Sequence, residues 1–102
     1  MKFVDIPKEI VSNYGLDDFG SVAEYIEEFG IDINDIENSI LEVEKGSIIE
    51  GGSPELLIKK VDGDWSITDD GLTWTPKHEE EVLAILIAFS ADNGLVSNYL
   101  KK

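Results

Sequence analysis

From Leu56 to Thr75, apolar and polar positions alternate around two Asp-Gly pairs, Asp62-Gly63 and Asp70-Gly71. Asp-Gly is the strongest short signal for a two-residue type I′ hairpin turn, because both central positions need positive φ. With two such turns, Val61 faces Asp64, Ile58 faces Ile67, and Ile67 in turn faces Trp74. Leu56, Ile58, Trp65, Ile67, Leu72 and Trp74 then share one face, and Lys59, Ser66, Thr68, Thr73 and Thr75 share the other. A one-residue slip in either turn would scatter the apolar set over both faces. The pattern predicts an antiparallel meander over about residues 56–75.

Upstream, the period changes to that of helices. Ile6, Ile10 and Tyr14, with Val11 beside them, form one stripe, with Asp5 as the expected cap, Pro7 in the first turn and Gly15 as the stop. Ser21 and Glu24 have the capping-box spacing ahead of Val22, Tyr25, Ile26 and Phe29, which are expected to face inward, and Gly30 closes that segment. Ile33, Ile36, Ile40 and Val43 continue at helical spacing behind Asp32 as a cap. Ile40 to Glu44 also alternates as a strand would, and the reading adopted is helix to about Ser39 and extended structure after it. Ser47 to Glu50 reads as a further strand, and Gly51-Gly52-Ser53-Pro54 as a loop.

Downstream, Thr75-Pro76 has the form of a helix start, a hydroxyl cap followed by proline. Glu79, Glu80 and Glu81 then lie near the positive end of a helix dipole. Val82 to Phe89 leaves almost no polar face, so this helix is expected to be central and to pack across the apolar face of the meander. Asn93-Gly94 ends it, and Leu95, Val96, Tyr99 and Leu100 suit a last short helix. The fold class expected is α+β: a small antiparallel β-meander packed by a C-terminal apolar helix, with short N-terminal helices, in one acidic domain over 1–102.

Composition adds charge to this picture. The 102 residues carry 22 acids and 8 cations, all of them lysine, for a net charge of −14. Direct nucleic-acid binding, which needs cations to neutralise phosphates, is not expected, and neither is docking on anionic membranes. A negative field of this strength speeds encounter with a basic partner, although acidity also serves solubility alone. Cysteine is absent, which removes disulfides and thiolate metal sites and suits a reducing compartment. No stretch has the length of a signal peptide or a membrane span, so a cytoplasmic protein is expected.

Catalytic and cofactor patterns are hard to find. The single histidine, His78, lies among Glu79, Glu80 and Glu81, with only carboxylates for company; it reads as an exposed residue of a capping turn. No serine sits in a nucleophile elbow. The calcium-loop pattern begun at Asp62 fails at Ser66, Ile67 and Thr73, so Asp62 and Asp70 are explained by turn chemistry. Gly51-Gly52-Ser53 lacks the phosphate-loop spacing and its lysine, and Asn38-Ser39-Ile40 stands where an acyl carrier protein would have Asp-Ser-Leu. Paired carboxylates are plentiful, but a chain of this size has little room for a sugar-lined cleft. No cofactor, metal or enzymatic activity is expected.

What remains is binding. In size, acidity and lack of catalytic equipment, rather than in any motif, the chain resembles small anti-restriction, anti-CRISPR and toxin-immunity proteins that imitate nucleic acid. The resemblance implies a module that associates with and inhibits a basic, nucleic-acid-handling protein such as a nuclease or DNA-binding protein. Asp62 and Asp64 at the first hairpin tip, with Glu79, Glu80 and Glu81 at the same end of the meander, are the carboxylates expected to face that partner, in preference to Asp69 and Asp70 at the far tip. The alternative is a structural or adaptor subunit using an apolar patch or a sheet edge. Leu56 to Val61 is the candidate edge unless residues 40–50 pair with it, Lys59 and Lys60 would guard it, and an uncovered Trp65 or Trp74 would supply an aromatic anchor.

Overall fold

The structure, a computed structural model, describes residues 3–102. A 3₁₀ turn at Phe3–Asp5 leads into three helices, α1 (Lys8–Asn13), α2 (Val22–Phe29) and α3 (Ile33–Glu44). Four strands follow, β1 (Ile48–Gly51), β2 (Leu56–Val61), β3 (Asp64–Asp69) and β4 (Leu72–Trp74). Helix α4 (Glu80–Asn93), a 3₁₀ turn at Val96–Tyr99 and a two-residue strand β5 (Leu100–Lys101) complete the chain. The sheet is antiparallel throughout, in the order β4-β3-β2-β1-β5. The fold is α+β, and the expected meander is its central and outer part.

Both hairpins take the register that the turns dictate. Val61 lies opposite Asp64, Ile58 opposite Ile67, and Ile67 opposite Trp74. Asp62 and Asp70 have φ of +52°, with Gly63 at +86° and Gly71 at +80°, the positive pair that a type I′ turn needs. Ile49 of β1 joins the same row through Ile58, so one apolar line crosses four strands. Ile49, Ile58 and Ile67 are wholly buried there, with Leu56 and Trp65 alongside. On the other face Leu57, Lys59, Ser66 and Thr68 keep part of their surface in water, and the Thr68 and Thr73 hydroxyls share a 2.8 Å hydrogen bond.

Helix α4 fills the space over the buried face. Val82 to Ile87, Phe89 and Ser90 are all buried, as expected of a helix that is apolar all round. Helix α3 packs against it through Ile36, Ile40 and Val43, three positions that fall on one helical stripe. The Ser21 hydroxyl accepts from the Glu24 amide and the Asp32 carboxylate from the Asp35 amide, so both expected caps are made.

Several boundaries differ from the sequence reading. Helix α3 runs on to Glu44 instead of giving way near Ser39, because a helix puts Ile40 and Val43 on the face already begun by Ile36, whereas a strand would separate them. It closes with the Gly46 and Ser47 amides on the Val43 and Glu42 carbonyls. Helix α4 starts at Glu80, not at Pro76, and its cap position, Glu79, makes no side-chain bond. Residues 75–79 are needed to carry the chain from the sheet edge into the helix layer, about 10 Å away. Helix α1 begins after Pro7, with Asp5 in the separate turn before it. The last short helix is present as a 3₁₀ helix at Val96–Tyr99, and Leu100 leaves it for strand β5. Since β1 pairs with β2, the strand Leu56–Val61 is interior; the edges are β4 and β5. Leu72 keeps its place on the inner face but, on edge strand β4, it is 71 % exposed.

The loop before β2 is held to the end of α4. The Asn93 side chain accepts the Ser53 amide at 3.0 Å, and a Cβ on Gly52, whose φ is +93°, would overlap the Phe89 ring. Replacing Gly52 by alanine combines backbone strain with overpacking, and it should lower stability by about 2–4 kcal/mol. Urea unfolding of Gly52→Ala measures this, and an unchanged midpoint would mean that the loop does not sit against Phe89.

Candidate functional site

Asp62 and Asp64 lie exposed at the β2–β3 turn, and Asp64 shares the outer face of the sheet with Val61. Strand β4 runs back toward this turn, and residues 75–79 deliver Glu79 and Glu80 to the same end, the first exposed and the second partly so. Glu81 differs from these four. It points beneath β4, where one carboxylate oxygen accepts the Tyr14 hydroxyl at 2.6 Å and the Trp74 indole N–H at 3.1 Å. That carboxylate joins α1, β4 and α4, and it lies on the opposite face of the sheet from Asp64. Lysines interrupt this end: Lys59 and Lys60 precede the turn, with the Lys60 ammonium 4.8 Å from the centre of the Trp65 ring, and Lys77 precedes Glu79. Trp65 itself is buried in the core.

The Tyr14–Glu81–Trp74 bonds form the floor of an open cleft of about 700 Å³ between α1 and residues 75–78. His78 and Glu9 lie on its rim, both exposed. Burial, then the hydrogen bond to Glu81 and its charge, and last the charge of Asp69, push the Tyr14 hydroxyl well above the ordinary tyrosine value. Among the described residues no group of three or more His, Asp or Glu is placed to hold a metal ion.

The charge is concentrated elsewhere. Between Glu9 and Glu44 the chain has eleven acids and no lysine, arginine or histidine, a net charge of −11. The other eleven acids share their part of the chain with all eight lysines, a net −3. Helices α2 and α3 and the turns before them therefore hold most of the field; the strands are balanced, with Glu50, Asp64 and Asp69 against Lys59, Lys60 and Lys101, and α4 adds Glu80, Glu81 and Asp92. Lys45–Glu42, at 3.9 Å, is the only ion pair among the described residues.

Within this stretch the expectation that Phe29 faces inward does not hold. Phe29 is 45 % exposed and Phe19 is 41 % exposed, and with Tyr25 they form a mutual cluster with ring centres 4.8–6.0 Å apart. Glu24, Glu27 and Glu28 of α2 border Phe19 around a shallow depression of about 440 Å³. Asp17 and Asp18 are exposed next to it in sequence. An exposed aromatic centre with carboxylates at its border suits a lysine- or arginine-rich surface, through stacking on the rings and charge at the rim. The uninterrupted run of acids was a signal already present in the sequence; the exposure of the two phenylalanines was not. No known protein family, curated protein sequence or solved structure matches the chain. No helix is long and apolar enough to cross a membrane among the described residues.

The Tyr14 shift has a measurable consequence. Above the ordinary tyrosine value near 10 the unfolded chain releases this proton while the folded chain keeps it, so the associated stability is present below that pH and is lost as pH rises. The urea midpoint of the wild type should therefore fall more steeply between about pH 9.5 and 11 than that of Tyr14→Phe. Parallel falls would mean that the hydroxyl is not held by Glu81.

Proposed function

We propose that the protein is a non-catalytic acidic module that works in the cytoplasm by binding, and inhibiting, a basic nucleic-acid-handling protein. The observation that carries this reading is the segregation of charge: a net −11 over residues 9–44, next to an exposed aromatic cluster, against −3 for the rest of the chain. Acidity that served solubility alone would be favourable anywhere on the surface and would need no aromatic centre. In this reading the carboxylates on the helices take the part of a nucleic acid's phosphates, and the partner's basic groove is their counterpart. The partner-facing surface is centred on Phe19, Phe29, Glu24, Glu27 and Glu28. Asp62, Asp64, Glu79 and Glu80 contribute a smaller share from the hairpin end, where lysines offset them, and Glu81 acts in holding that end together.

The protein, immobilised and presented with lysate of its source cell or host, should capture a basic nucleic-acid-handling protein that raised salt or added DNA displaces. A partner that survives both treatments would favour the adaptor alternative, and capture of nothing would overturn the reading. With a partner in hand, Glu24→Lys, Glu27→Lys and Glu28→Lys together should slow association by about tenfold or more at low salt. Reversal of Asp62, Asp64 and Glu80 should slow it by roughly threefold or less. Equal effects of the two triple variants would move the centre of the interface to the hairpin end.

A further inference from the structure

At the far end of the sheet from the Asp62 turn, a small pocket of about 150 Å³ opens between the start of β2 and the second half of α4. Its walls are Leu56, Ile85, Ala88 and Phe89, and the carboxylates of Asp69 and Asp92 stand among them. Asp69 comes from the inner face at the end of β3, opposite Leu56, and Asp92 from the last turn of α4, so two elements bring the acids to one apolar recess.

The other polar groups lining it are already engaged. The Tyr14 hydroxyl donates to Glu81. Asn93 is held on both sides, its oxygen by the Ser53 amide and its NH₂ by the Phe89 carbonyl. No lysine lines the pocket, and neither Asp69 nor Asp92 forms an ion pair among the described residues. Such a site offers an apolar sleeve and two hydrogen-bond acceptors with negative charge. An anion is repelled, and a neutral apolar ligand leaves the charges of Asp69, which is half-buried, and Asp92, which is exposed, unmatched. The complement is a chain of methylenes that ends in a cation, with its stem in the sleeve and its head at the acids.

We propose that this pocket is the socket for one lysine or arginine side chain of the basic partner, held by Leu56, Ile85, Ala88 and Phe89 along its stem and by Asp69 and Asp92 at its head. The proposal rests on the binding function argued above and adds a single anchoring contact to it.

Two small cations test the socket without the partner. In NMR titrations of the whole protein, n-butylammonium and n-propylguanidinium should give saturable shifts at the methyl groups of Leu56, Ile85 and Ala88, and neutral n-butanol should not. Asp69→Asn with Asp92→Asn should weaken this binding by about tenfold or more while the spectrum stays dispersed. Shifts that do not saturate, that n-butanol reproduces, or that the double variant leaves unchanged would overturn the proposal. If that variant fails to fold, Ala88→Phe, which fills the sleeve, takes its place, and retained cation binding would be equally contrary. The two readings fail separately. A captured partner with no cation binding removes the socket alone, whereas cation binding with no captured partner removes the partner reading and leaves a small-cation site.

Discussion

Helix α4 has eight residues out of water, from Val82 to Ser90, and a helix buried in this way needs neighbours on every side. Burying each of its large aliphatic side chains is worth about 1.5–3 kcal/mol relative to exposure, so supplying those neighbours dominates the architecture. The two Asp-Gly turns deliver Ile58, Ile67 and Trp65 to one face, β1 adds Ile49 to the same row, and α3 closes another side with Ile36, Ile40 and Val43. Each element is short, and each makes sense as part of the enclosure of α4. The Gly52 loop belongs to it too, lying against Phe89 where any side chain would intrude.

That enclosure also sorts the charges. Acids stay out of the core, and Glu81, half-buried beneath β4, is met by two donors, the Tyr14 hydroxyl and the Trp74 indole. Half of the acids stand between Glu9 and Glu44, on α1, α2, α3 and the turns between them, and every lysine lies outside that stretch. The eleven acids of residues 9–44, eight of them within the three helices and only Glu42 in an ion pair among the described residues, repel one another and weaken the compact state. A buried helix of this apolarity can sustain that cost. The aromatic cluster of Phe19, Tyr25 and Phe29 sits in the strongest part of the field and is left partly uncovered, the combination on which the functional reading depends.

The sequence by itself determined the elements whose cause is local. Asp-Gly selects one turn type, the turn sets the register, and the register decides which side chains of β2, β3 and β4 face α4. Ser21 and Asp32 announce α2 and α3 because a side-chain oxygen there reaches an amide three residues on. The unbroken apolarity of Val82 to Phe89 marks a central helix without any knowledge of what surrounds it. The run of acids from Glu9 to Glu44 was equally legible, and it locates the field better than the hairpin carboxylates do.

Tertiary structure decided whatever depends on a distant neighbour. Residues 40–44 fit a helix or a strand equally well by local pattern, and burial against α4 with Ile36 selects the helix. Leu100 and Lys101 carry no strand signal; they become β5 because β1 offers an unpaired edge. Glu81 looked like one of three equivalent glutamates, until the fold placed Tyr14, 67 residues away, against it. Asp69 and Asp92 meet at one pocket for the same reason, since they lie on different elements that only packing brings together. Phe29 had the spacing of an inward residue and is exposed, because α2 lies at the margin of the core with no further layer to cover it. Spacing along a chain fixes which side chains share a face; only the assembled molecule determines whether anything lies over that face.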